Sequence, residues 1–321
     1  MRNMRKLVCA MMVLSSVSGL LCAQGASEET AYPSKEVNVI VIANAGGGTD
    51  AIARAVTTPL EKKMGKPFVV VNNGTAGGLV ATEDIARAES DGYTLGVFSN
   101  TDVANFAWSQ KNSEVKVEDY TYIAALNTTS DIVVLKKGSQ FKNLEEVIAY
   151  AKKNPGKLTM GLPSPTQKMS LALFENTTGT DVTDVVYGGG NKVFADLLGG
   201  HVELGILGAK FVKQAKEQGM TILGIMLDDR LPSFADVPTF KEQGYEMLNP
   251  ACRMLVGPKG ISQDKVDALT KAIKEGYADG GEMKANIENL GEAAVLTTGA
   301  ELAAFLKSDF EMRQNYYQNA Q

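Results

Sequence analysis

Residues with side chains suited to catalysis are scarce in this sequence. The 321-residue chain holds one histidine, His201, and three cysteines, Cys9, Cys22 and Cys252. A single imidazole cannot make a His–His zinc site, and any Ser-His-Asp or Cys-His nucleophile system would have to use that one residue. Two of the cysteines sit at the N-terminal end, which argues against a disulfide framework or a Cys-rich metal cluster. Cys252 reads as a buried free thiol. The acidic pairs Glu145-Glu146 and Asp228-Asp229 are sequence neighbours, and adjacent carboxylates on a helix point to different faces. No acid–base pair for catalysis emerges, and no metal or cofactor is expected.

The backbone offers more. Three glycine-rich turns stand out: Ala43-Asn44-Ala45-Gly46-Gly47-Gly48-Thr49-Asp50, Asn72-Asn73-Gly74-Thr75-Ala76-Gly77-Gly78, and Tyr187-Gly188-Gly189-Gly190-Asn191. Glycine lets the chain turn tightly and lets a ligand approach the main chain. A helix that begins at such a turn presents unpaired N–H groups and a positive dipole end, which suits an anion. A nucleotide is a poor candidate for that anion. A phosphate-binding P-loop would need Gly-Lys-Ser/Thr where this chain has Gly48-Thr49-Asp50. A dinucleotide fold would want an acid after its second strand, where Asn72-Asn73 stands. Asp50 has two readings at this stage: a partner for an amine on a ligand, or an acid that complements the dipole of the helix it opens.

Elements able to carry these turns alternate along the chain. Apolar runs at Val37–Ile42, Phe68–Val71 and Tyr93–Phe98 read as strands, separated by helical patterns at Ala51–Leu60 and Leu79–Ala88. Short buried strands alternating with helices imply a parallel α/β sheet, with ligands at the carboxyl ends of its strands. Ile123–Leu135 looks extended. A second block follows, with Asn143 and Glu146 as a capping box for a helix over Leu144–Lys152, a strand at Leu158–Leu162, and Ser164-Pro165 opening another helix. Val182–Tyr187, Val193–Leu198, Val202–Leu207 and Thr221–Met226 continue the alternation. The Pro-marked stretch Leu231–Pro250 reads as a connection back, and helical patterns at Ser262–Tyr277 and Glu301–Phe310 finish the chain. Length alone suggests about two domains.

The first 25 residues read as an export signal. Arg2, Arg5 and Lys6 precede an apolar stretch from Leu7 to Leu21, too short for the roughly 20 residues that span a bilayer. Small residues around Ala23-Gln24-Gly25 offer a cleavage context, and Cys22 offers a lipid-anchored alternative, against which the bulky Leu21 counts. Loss of three positive charges and no negative ones takes the net charge from −5 to −8 (−5 − 3). An acidic surface argues against nucleic acid as a partner.

Several motifs, in order, resemble the tripartite tricarboxylate transporter receptor family, the Bug-type extracytoplasmic solute-binding proteins. They are Tyr32-Pro33-Ser34-Lys35, the Gly46-to-Asp50 turn, Asn73 through Gly78, Ala86-Arg87-Ala88 leading to Asp91-Gly92-Tyr93-Thr94-Leu95, Asp196-Leu197-Leu198-Gly199-Gly200, and Val237-Pro238-Thr239-Phe240 with Glu242 and Gly244. The resemblance implies a type II periplasmic-binding-protein-like α/β fold of two lobes, each a mainly parallel sheet flanked by helices. Lobe 1 would comprise residues 33–133 plus 250–321, and lobe 2 residues 134–249. It further implies a monomer that closes on a small organic carboxylate and delivers it to a two-subunit integral membrane permease. By resemblance, backbone N–H groups of Gly46, Gly47, Gly48 and Thr49, with those of Thr75, Ala76, Gly77 and Gly78, grip one carboxylate. Ser99, Asn100 and Thr101 stand at the next strand end, and Ser164, Thr166 and Tyr187 face them from the other lobe.

The resemblance agrees with the residues, since the turns hold almost no Arg or Lys and would bind an anion through helix N-termini and hydroxyls. Lys168 and Lys192 read as solvated helix residues, and His201 as a surface or structural one. The chain departs from the family pattern in the turns themselves, with Ile42-Ala43-Asn44, Asn73-Gly74-Thr75 and Val186/Gly188 where proline, arginine or lysine is common. Citrate, a dicarboxylate, an aromatic acid and an acidic amino acid all stay open as ligands. Two rival readings use the same cleft, a carboxylate-processing enzyme and a sensor for a signalling kinase. The first lacks a nucleophile–base pair, and the second would differ in its partner.

Overall fold

The computed structural model describes residues 32–319. The chain divides into two units, residues 1–34 and 35–321. Only residues 32–34 of the first are described, and every strand and helix named below belongs to the second. The export segment, with Cys9 and Cys22, lies outside the described residues.

The second unit carries two mixed sheets flanked by helices. The first contains β1 (Val37–Val41), β2 (Phe68–Asn72), β3 (Thr94–Ser99), β4 (Tyr120–Ala125), β11 (Arg253–Pro258) and β12 (Thr297–Thr298), in the order β12-β4-β11-β3-β1-β2. The second contains β5 (Thr129–Leu135), β6 (Thr159–Leu162), β7 (Thr183–Val186), β8 (Leu204–Gly208), β9 (Ile222–Ile225) and β10 (Pro250–Ala251), in the order β10-β5-β8-β6-β7, with β9 also on β5. In chain order the helices are α1 (Gly48–Met64), α2 (Leu79–Arg87), α3 (Asn100–Trp108), α4 (Leu144–Lys153), α5 (Lys168–Thr178), α6 (Gly190–Gly199), α7 (Val212–Glu217), α8 (Gln263–Tyr277), α9 (Glu282–Asn289) and α10 (Gly299–Asn319).

Parallel pairing is confined to one side of each sheet. β1 runs parallel to β2 and β3, and β6 runs parallel to β7 and β8. Those are the strands joined by helical crossovers, as parallel neighbours require. β11 pairs antiparallel with both β3 and β4, and β5 antiparallel with β8, β9 and β10. The return strands after each crossing therefore make the sheets mixed rather than parallel throughout.

Local chemistry sets several boundaries. α1 ends at Gly65, whose φ of +69° closes the helix in the left-handed region that glycine enters most cheaply. Asn143 caps α4 by accepting from the Glu146 N–H at 2.9 Å, while Glu146 reaches back to the N–H of Lys142 rather than to that of Asn143. α3 begins with a complete capping box between Ser99 and Asp102. Ser164-Pro165 opens a short 3-10 turn, Pro165–Gln167, before α5 starts.

The chain passes from the first sheet to the second at residues 126–128 and returns through Cys252. At the first crossing, the N–H of Leu126 donates to the Arg253 carbonyl and that of Thr128 to the Ala293 carbonyl. Cys252 is a buried free thiol, and burial, with the Asp309 charge nearby, pushes it up to about 12. The long C-terminal helix α10 packs on α3 and β4. Trp108 meets Phe310 of α10 edge-on, with ring centroids 5.9 Å apart, which makes it a core contact. His201 is exposed.

Candidate functional site

A cavity of about 610 Å³ opens between the two sheets. Its first-sheet wall includes Thr49 in the first turn of α1, Ser99 and Thr101 at the start of α3, and Arg253 at the start of β11. Its second-sheet wall includes Asp131 of β5, Thr166 and Gln167 before α5, the turn Gly188–Lys192 that opens α6, and Gly208 after β8. The N-terminal turns of α1, α3 and α6 thus meet at one space. Each brings the positive end of a helix dipole to it, although at α3 the N–H groups of Asn100 and Asp102 are already bonded to the Cys252 carbonyl and the Ser99 hydroxyl.

The first glycine-rich turn is built to point α1 at this space. Asp50 is 4% exposed and does not line the cavity. Its carboxylate instead accepts from the N–H of Gly46 and from Arg54 Nε, both at 2.9 Å. Burial works to raise this acid, but the hydrogen bonds from Gly46, Arg54 and Asn72 and the Arg54 charge outweigh it and hold the group below the usual carboxylate range. Of its two readings, the one the geometry supports is structural: the side chain ties down the turn whose helix it opens.

Thr75–Gly78 buttresses that turn from outside the cavity. A Cβ on Gly74 would stand 2.5 Å from Asn44 Oδ1, and one on Gly78 would stand 2.4 Å from the Ile42 carbonyl oxygen. Gly78 also has a φ of +101°. The two turns pack together only because those positions carry no side chain.

The other expected residues separate into two groups. Ser99, Thr101 and Thr166 join Thr49 on the cavity wall, whereas Gly46, Gly47, Gly48, Asn100, Ser164 and Tyr187 do not line it. Asn100 is fully buried. It donates to the Pro250 carbonyl and to Asp309 and accepts from the Cys252 N–H, so it pins α3 to the return crossing. Ser164 Oγ lies 2.6 Å from Thr166 Oγ1 and donates to Gln167 Oε1 at 2.8 Å. Tyr187 donates to Asp196 Oδ2 at 2.5 Å, and desolvation followed by that acid pushes its hydroxyl up to about 12. The glycines beside Tyr187, rather than its ring, face the cavity.

The charged side chains of the wall were missed by sequence reasoning. Four bases, Lys192, Lys210, Arg253 and Arg313, line the cavity with three acids, Asp102, Asp131 and Glu292. The Arg253 guanidinium stands beside the α1 N-terminus, its Nη2 3.7 Å from where a Gly48 Cβ would be. It meets Glu292 at 3.5 Å, and Glu292 also accepts from Asn127 at 3.2 Å. Arg313 of α10 is 2% exposed and donates to Asp309, Asn249 and the Pro250 carbonyl. Lys168 pairs with Asp184 at 3.4 Å, in keeping with an exposed helix residue, but Lys192 faces the cavity. Asp102 is occupied by the α3 cap. Among the described residues no group of three side chains is placed to hold a metal ion.

The arrangement of two mixed sheets around a cleft has counterparts among known proteins. A structure described as a periplasmic transporter is 30% identical, with a TM-score of 0.73, and covers 90% of this chain and 98% of its own. The Rhodopseudomonas palustris protein MatC, solved with bound malate, has the same fold at 24% identity and a TM-score of 0.70, covering 89% of this chain and 100% of its own. The Cupriavidus necator "UPF0065 protein in gbd 5'region" is 31% identical over 80% of this chain and 79% of its own length. The model of the tripartite tricarboxylate transporter family receptor matches residues 52–310. The chain belongs to that receptor family. Its members are periplasmic solute-binding receptors, not enzymes, that take small carboxylates and work with a membrane permease. No helix among the described residues is long and apolar enough to cross a membrane.

Proposed function

We propose that this protein is an extracytoplasmic receptor that holds a small organic carboxylate between its two sheets and passes it to an integral membrane permease of two subunits. The observation that carries the reading is the convergence of the α1, α3 and α6 N-termini with Arg253 on one cavity of about 610 Å³. N–H groups and a guanidinium aimed at one point complement a carboxylate, and charge-assisted hydrogen bonds contribute about 1.5–3 kcal/mol each. A few suffice for micromolar binding at about −8 kcal/mol. In this reading each sheet with its helices is a lobe, and residues 126–128 and Cys252 form the crossings about which they close. The α1 N-terminus at Thr49 grips the carboxylate, its turn supported by Thr75–Gly78, with Ser99, Thr101 and Thr166 completing the wall. The receptor acts as a monomer. Residues 1–25 direct export, and either cleavage near Gly25 or acylation at Cys22 follows.

The test is thermal unfolding of protein refolded to strip carried-over ligand, against a panel of small carboxylates. A hundredfold excess over the dissociation constant adds about 2.7 kcal/mol. The expected result is a rise in melting temperature with one or a few carboxylates that Arg253→Gln reduces at least tenfold in affinity. No shift with any carboxylate, or a shift indifferent to Arg253→Gln, refutes the assignment.

A further inference from the structure

The anion-binding wall leaves one carboxylate unexplained. Asp131 lines the cavity from β5, opposite the α1 N-terminus. Its Oδ2 accepts from Ser170 Oγ at 2.5 Å, and its Oδ1 takes no hydrogen bond from the described residues. No base pairs with it directly, because the basic group whose charge reaches it, Arg313, is already bound to Asp309 at 2.9 Å. An acid in this position weakens the attraction of the cleft for any anion, and it costs free energy in the empty site.

The side chain is nevertheless held firmly. Ser170 is fully buried and accepts from Asn249 Nδ2 at 2.6 Å, and Asn249 Oδ1 accepts from Arg313 Nη1 at 2.9 Å. Arg313 continues to Asp309, and Asp309 to Asn100 at 2.8 Å. A continuous chain of hydrogen bonds therefore runs from the first sheet, across the return crossing, to this one carboxylate at the cavity surface. Buried networks of this kind fix side-chain geometry, here leaving one acceptor oxygen without a hydrogen bond among the described residues.

Resting on the carboxylate reading above, we propose that Asp131 selects the cargo by accepting from a donor group on it. The ligand is then a carboxylate that also bears an ammonium or hydroxyl group, rather than a plain mono- or dicarboxylate. Its carboxylate lies at the α1 N-terminus and Arg253, and the donor reaches across to Asp131. Lys192 and Lys210, which line the same cavity, are available to a second carboxylate.

Matched sets test this by isothermal titration with ligand-stripped protein at pH 7.5: propionate, lactate and alanine; succinate, malate and aspartate; glutarate, 2-hydroxyglutarate and glutamate. In at least one set the donor-bearing acid should bind tenfold or more tightly than its plain counterpart. Asp131→Ala should bring that ratio to within about twofold while the plain acid binds as well or better. Asp131→Asn separates the sources, since a neutral acceptor loses the preference for ammonium and keeps most of that for hydroxyl. Circular dichroism confirms that each variant is folded. Plain acids that bind the wild type as tightly as their donor-bearing partners, or a ratio unchanged in both variants, overturn the assignment of Asp131. Binding of no acid in any set overturns this assignment of the cargo, and if no carboxylate of the thermal panel shifts the melting temperature either, the carboxylate reading itself falls with it.

Discussion

Asp131→Asn should make the ligand-free protein more stable at neutral pH. Desolvation raises Asp131 to about 6, more than Ser170 and the Arg313 charge can lower it. In the unfolded chain an aspartate titrates near 3.9. Between those values the folded state keeps a proton that the unfolded state has released. The wild type is therefore penalised in full above about pH 6, and the penalty fades as pH falls towards 4. Two units correspond to about 3 kcal/mol at most. Partial hydration of the carboxylate and the desolvation of the new amide reduce this to about 1–2 kcal/mol. Asparagine keeps an oxygen for the Ser170 hydroxyl, so the hydrogen-bonded chain survives. For a protein of this size the gain appears as a rise in melting temperature of about 2–5 °C. Differential scanning calorimetry of both proteins, stripped of ligand, at pH 7.5 and pH 4 decides the matter. The shift should be present at the first pH and absent at the second. An equal or lower melting temperature at pH 7.5, or the same shift at both, would refute the reasoning.

Arg313→Leu should cost about 3–5 kcal/mol in urea unfolding, because it strands Asp309 as an uncompensated buried charge whose Oδ1 already lacks a partner. Adding Asp309→Asn should recover at least half, and a single-variant loss below about 1 kcal/mol would contradict the role given to the pair. Gly78→Ala should destabilise by about 1–3 kcal/mol, since it adds a Cβ against the Ile42 carbonyl at a φ of +101°. Gly46→Ala, at a φ of +80° with nothing within 4 Å, should cost less, and equal losses in the two melting curves would remove the packing argument.

Much of the architecture was legible in the sequence because it is locally encoded. Each parallel strand is a short apolar run followed by a turn and a helix, with glycine-rich turns after β1, β2 and β7, so β1 to β3 and β6 to β8 are found within a residue or two. What was missed depends on partners far along the chain. β4 and β5 read as one extended stretch because residues 126–128 carry neither glycine nor proline. Their bend is held by hydrogen bonds to Arg253 and Ala293. β11 follows the proline-marked return and takes its place only by pairing with β3 and β4. α3 starts with Asn100-Thr101-Asp102, a loop-like triplet until the Ser99 cap is seen.

The site divides in the same way. The turns that aim α1 and α6 are visible as glycines, and Thr49, Ser99, Thr101 and Thr166, named from the resemblance, line the cavity. The charges do not. Asp309 and Arg313 are four apart on a helix, the spacing of an ordinary solvated pair, and only the packing of α10 buries them. Arg253 opens an otherwise apolar strand, and its importance rests on standing next to Gly48. Asp131 sits in a β-branched run that reads as core, and the cavity in front of it is made by another part of the chain.

The place of β11 also governs how the molecule can come into being. The strands of the second sheet, β10 apart, lie in one continuous stretch, so that sheet can nearly complete itself from its own segment. The first sheet cannot. Its two outer portions, β1 to β3 on one side and β4 on the other, have no common neighbour until Arg253–Pro258 slots between them. Contacts between segments so distant in the chain form slowly, because loop closure must precede any pairing. A chain emerging from its N-terminus therefore stays unfinished in its first sheet until Arg253–Pro258 is available, and the Arg253 guanidinium reaches the α1 N-terminus only with that strand. A chain cut before residue 253 lacks both the strand that joins the halves of the first sheet and the Arg253 part of the pocket wall.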